Sequence, residues 1–71
     1  MNIWDFQNLS QKVKLTTKEG KSYTGWVLSI LDTDDQDDAV EPQVCMETSD
    51  GYMGFWESEI QNMEIIDDGK G

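Results

Sequence analysis

The 71-residue chain contains no histidine and no arginine, a single cysteine and a single proline. It has no apolar run near the ~20 residues of a membrane span. Each absence removes a class of function. Without histidine, and with Cys45 alone, neither a structural zinc site nor a histidine-assisted nucleophile can be assembled. One cysteine also excludes an internal disulfide; flanked by Val44 and Met46, Cys45 reads as a small apolar filler and not as a reactive thiol. There is no glycine-rich phosphate cradle. Two neighbouring acids can serve as a general acid–base pair, but no partnered nucleophile accompanies them, so the sequence does not read as an enzyme. The opening "MNIWDFQNLSQ" has neither a basic flank nor a sustained apolar stretch, and the expectation is a soluble, cytoplasmic chain with no membrane partner.

What is present is mostly negative charge. Fifteen acids oppose five lysines, for a formal charge of −10. The first 31 residues carry four lysines against two acids, and the last 40 carry one lysine against thirteen acids. Such a field repels phosphate backbones overall. Lys12, Lys14, Lys18 and Lys21 form the one candidate basic patch. The acidic run Asp32, Asp34, Asp35, Asp37, Asp38 and Glu41 invites a calcium reading. Counted from Asp32, however, an EF-hand loop needs glycine at its sixth position and an acid at its twelfth, where this chain has Asp37 and Gln43. The run reads as a solvated loop, and neither a metal nor another cofactor is expected.

A chain this short is one domain, taken here as residues 1–67, and it hides only about 60% of its unfolded surface on folding. Stability must therefore come from elsewhere, and with disulfide and zinc excluded, association with further copies is the expected source. Asn2 is a candidate N-cap, and Ile3, Phe6 and Leu9 recur at three-residue spacing, predicting a short amphipathic helix over residues 3–10. From Lys12 the period becomes two. Strands are predicted over 12–18, 21–32, 43–48, 52–57 and 60–66, with turns at "KEGK", where Gly20 can take positive φ, and at Asp50–Gly51; residues 68–71 read as a disordered tail. The fold class is mainly β: a short N-terminal helix followed by a five-stranded, strongly bent antiparallel small barrel. Gly25 is the expected bending point of the second strand.

After Gly25 that strand loses its alternation, because "GWVLSIL" is apolar at nearly every step. Trp26, Leu28 and Ile30 are expected on one face, with Val27 and Leu31 on the other. The barrel interior then covers one set, and the helix or a neighbouring copy covers the other.

The stretch "VKLTTKEGKSYTGWVLSILD" resembles the first motif of the Sm and Sm-like family: a hydrophobic strand, a charged glycine turn, then a strand with an internal glycine and a closing aspartate. The likeness extends over residues 3–66. It implies a barrel of the Sm-like, SH3-like type that assembles into a homo-oligomeric ring, the fourth strand of one subunit pairing with the fifth of the next, with RNA bound around the pore. The interface residues it implies are Tyr52, Met53, Phe55, Trp56, Ile60, Met63 and Ile65. The nucleic-acid-binding positions fall at Asp32, Gln36, Glu57 and Ser58. The family's Arg-Gly pair is Glu57–Ser58 here, which reverses the sign of a phosphate contact. Two readings therefore stand: a ring-forming scaffold that binds RNA, and an acidic module that engages a basic protein or imitates nucleic acid. The aromatic cluster of the last two strands fits core and subunit contact better than a base-stacking platform, which would have to overcome the acidic field.

Overall fold

The computed structural model of the chain describes residues 2–35 and 38–66. Gln36 and Asp37 of the acidic run, and the tail at 68–71, lie outside the described residues. Among those described, five strands form one antiparallel sheet: β1 (Val13–Thr17), β2 (Ser22–Leu31), β3 (Gln43–Thr48), β4 (Gly51–Trp56) and β5 (Ile60–Ile65). Their spatial order is β4-β3-β2-β1-β5. No helix is long and apolar enough to cross a membrane.

The expected helix over 3–10 is instead a single 3-10 turn, Ile3–Phe6. Asn2 starts it, its Oδ1 accepting from the Trp4 N–H at 3.0 Å. Asn8, at φ 64, adopts a left-handed conformation that ends any helical run. The apolar spacing nevertheless does what an amphipathic segment does: Ile3 is fully buried, and Trp4, Phe6 and Leu9 pack against the core. Repeats of three residues match the three residues per turn of this tighter helix.

The β1–β2 hairpin closes with the Gly20 N–H donating to the Thr17 carbonyl at 2.9 Å, Gly20 standing at φ 90. Strand alternation then builds the core. Val13 and Leu15 of β1, Val44 and Met46 of β3, Phe55 of β4 and Ile60 and Met63 of β5 all point inward. In β2 the alternation slips. The β2–β3 register shifts between Val27 and Ser29, so Leu28 is an extra residue on its strand. Val27 and Ile30 consequently share the inner face, while Trp26 and Leu28 are exposed. The expected grouping of Ile30 with Trp26 and Leu28 is thus overturned. A bulge, and not two covered faces, accounts for the missing alternation.

At Gly25 the backbone of β3 lies close against β2. A Cβ there would lie 1.9 Å from the Glu47 carbonyl oxygen, so no other residue fits without moving backbone.

The sheet is strongly curled but not closed, which corrects the expected barrel. A flat five-stranded sheet would hold its edges about 19 Å apart, four spacings of about 4.8 Å. The chain passes from Trp56, the end of one edge strand, to Ile60, the start of the other, in steps that span at most about 14 Å. The edges must therefore approach each other at this end. Even so, among the described residues no ladder joins β4 to β5.

Candidate binding surfaces

The curled sheet offers four places where chemistry collects. The first is a cleft of about 410 Å³ between β4 and the end of the β1–β2 hairpin. Tyr23, Met53 and Phe55 give it an apolar floor, and Lys18, Lys21 and Glu59 stand among its other lining residues. The Tyr23 and Phe55 rings meet there at 5.1 Å, tilted by 48°. The Lys18 N–H donates to the Glu59 carbonyl at 2.9 Å and so holds the hairpin end against the start of β5.

The second is made by the lysines, which do not converge on one patch. Lys14 lies on the outer face of β1 and Lys12 immediately precedes that strand, whereas Lys18 and Lys21 flank the hairpin tip at its other end. Carboxylates are interleaved with them: Glu64 is the cross-strand partner of Lys14, and Glu19 and Glu59 line the cleft beside Lys18 and Lys21. The Lys12 Nζ lies 5.3 Å from the centroid of the Trp26 ring, within cation–π range.

The third place is the turn Glu57–Glu59, where the family-position residues Glu57 and Ser58 sit. Glu41, from the far end of the acidic run, reaches across to it. Its Oε1 accepts from the Ser58 N–H at 2.7 Å and its Oε2 accepts from the Ser58 hydroxyl at 3.0 Å. The Glu57 N–H donates to the Pro42 carbonyl at 3.0 Å, and Glu59 Oε1 accepts from the Trp56 N–H at 2.9 Å. An anion thus already occupies both donors of Ser58, supplied by the chain itself. Asp32 is engaged locally, its Oδ1 accepting from the Thr33 N–H at 2.7 Å, and Gln36 lies outside the described residues. Sequence reasoning treated Glu41 only as a member of the acidic run. Its pairing with Ser58 joins residues seventeen apart, and no local pattern signals it. Among the described residues no group of three or more acids or thiols is placed to hold a metal ion.

The fourth place is the outer face of β2, β3 and β4. Register puts Trp26 opposite Glu47 and Glu47 opposite Tyr52, and past the bulge puts Leu31 opposite Gln43 and Gln43 opposite Trp56. Trp26 is 45% and Tyr52 77% exposed, and Leu28 and Trp56 also reach solvent. Gly54, between Tyr52 and Trp56, has the Gln43 side chain laid over it, with Nε2 2.7 Å from where a Cβ would be. Cys45, opposite Gly54, is a half-buried free thiol.

Of the residues expected at a subunit interface, Phe55, Ile60 and Met63 are buried in the chain's own core, and Met53 packs partly against it. Tyr52 and Trp56 on β4 and Ile65 on β5 remain exposed. No protein-family model matches the chain, and neither a curated protein nor a solved structure matches it.

Proposed function

We propose that this protein is a non-enzymatic binding scaffold that assembles with copies of itself, in the ring-forming manner of the Sm-like family that its first two strands resemble. One observation carries the reading: β4 and β5, consecutive in the chain, are the two opposite edges of an open curled sheet. A free edge presents unpaired N–H and C=O groups, and two edges of one subunit joined head to tail to the edges of others generate a ring if the rotation closes. Exposed Trp56 on one edge and Ile65 on the other supply apolar surface at the junction. The reading places the protein in the cytoplasm and asks for no cofactor.

The test is native mass spectrometry of the full chain at micromolar concentration, with and without a pool of RNA. A closed oligomer larger than a dimer is expected; a monomer under all conditions overturns the assembly.

A second reading, a scaffold for protein and not for RNA, is favoured by the Glu41 carboxylate seated on Ser58. An RNA phosphate at that position would have to displace a bound carboxylate and approach Glu57 as well. With the net charge of −10, this favours a basic protein as the scaffold's cargo. No RNA binding is expected even at low ionic strength, where attraction would be greatest; salt-resistant binding to uridine- or adenine-rich RNA would reverse the choice.

A further inference from the structure

From the outer face of the sheet we infer a docking site for an arginine- or lysine-bearing segment of a partner protein, with one cationic side chain seated over Glu47 between Trp26 and Tyr52. The three residues form one cross-strand row, Trp26 opposite Glu47 and Glu47 opposite Tyr52. Adjacent strands lie about 5 Å apart, so a carboxylate is flanked on both sides by an aromatic side chain at roughly the width of a guanidinium or ammonium group with its contacts.

Three observations support a cation as occupant. The chain already demonstrates the chemistry, because the Lys12 ammonium lies 5.3 Å from the Trp26 ring centroid. The row's other aromatic, Tyr52, is 77% exposed on the far side of Glu47. The half of the chain that contributes Glu47 and Tyr52 carries thirteen acids against one lysine, so its field attracts a basic segment and repels an anionic one. Leu28 and Trp56 add exposed apolar surface on the same strands, which suits a segment that alternates cationic and apolar residues. The surface stands whether or not the ring forms, since it uses the face of β2–β4 and not the edge groups of β4 and β5.

The experiment is an NMR titration of the full 15N-labelled chain with a synthetic octapeptide of alternating arginine and alanine, at physiological salt, with a glutamate-for-arginine peptide as control. Expected are shifts centred on the Trp26 indole and on the Glu47 and Tyr52 amides, with none from the control peptide. Tyr52→Ala and Glu47→Gln should each weaken binding about fivefold, and Tyr52→Phe should leave it within about twofold. Glu64→Gln, the same charge change on the outer face of β5, should also leave it within about twofold. Lys12→Gln, which vacates the Trp26 ring, should strengthen binding. Shifts spread evenly over the acidic residues, with Glu64→Gln as costly as Glu47→Gln, would reduce the site to diffuse attraction and overturn it. So would the same amides shifting with chain concentration alone, which would assign the face to a second copy, or a short uridine RNA producing the larger response.

Discussion

The two faces of the sheet are made from the same strands, yet they treat apolar residues in opposite ways. On the inner face Val13, Leu15, Val44 and Met46 are fully withdrawn from water, joined by Ile3 from the N-terminal turn. On the outer face Trp26, Leu28, Tyr52 and Trp56 stay exposed beside Glu47 and Gln43. The inner set accounts for folding, and each of its members touches others of the same cluster. The outer set is not part of the core cluster. Apolar surface retained at that position is what a binding face looks like.

The largest break in this comparison should come from Gly25, whose missing side chain lets the β3 backbone lie against β2. Gly25→Val drives a side chain into the Glu47 carbonyl, and a domain of this size has only about 4–10 kcal/mol to lose. Loss of the cooperative urea transition is expected; a folded variant would show that the sheet tolerates a wider spacing between β2 and β3. Next, Leu15→Ala removes a fully buried side chain and should cost about 3 kcal/mol in the same assay.

Glu41→Ala tests the link between the acidic run and the turn that joins the two edges. Losing both bonds to Ser58 should cost about 1 kcal/mol, because the site is open to solvent and water replaces the carboxylate. Smallest in stability, and sharpest for the comparison, is Ile65→Lys on the β5 edge, or Tyr52→Ser on the outer face. Each should move folding stability by under about 1 kcal/mol. Ile65→Lys should shift the oligomer to monomer in native mass spectrometry, whereas Tyr52→Ser should leave assembly intact and weaken the arginine peptide. A loss of several kcal/mol from either would place that residue among the folding contacts.

Much of this is legible in the sequence. The five strands lie within one residue of the bounds that alternation and turn residues predict, since period-two patterning, Gly20 and Asp50–Gly51 are local signals. Gly25 was legible as a special position, although the reason proved to be a backbone approach from β3. The 3–10 segment was misjudged in geometry because three-residue spacing fits one 3-10 turn as well as a short helix, and Asn8 at positive φ decided between them. The face of Ile30 was misassigned because a bulge inverts the alternation without any residue that announces it. The expected interface set mixed core and surface for a related reason. Phe55, Ile60 and Met63 are as apolar as Tyr52, Trp56 and Ile65, and only the direction in which each points tells them apart.

What the sequence determined alone was the inventory of strands and turns, the acidity of the second half, and the lack of histidine and of a second cysteine for an internal disulfide. These depend on residue type and near-neighbour spacing. The tertiary structure decided the strand order, the bulge, the open gap between β4 and β5, the Glu41–Ser58 pairing and the aromatic–carboxylate row. Each of these is a meeting of residues far apart in the chain, set by register and curvature across the whole sheet, which no window of neighbouring residues encodes.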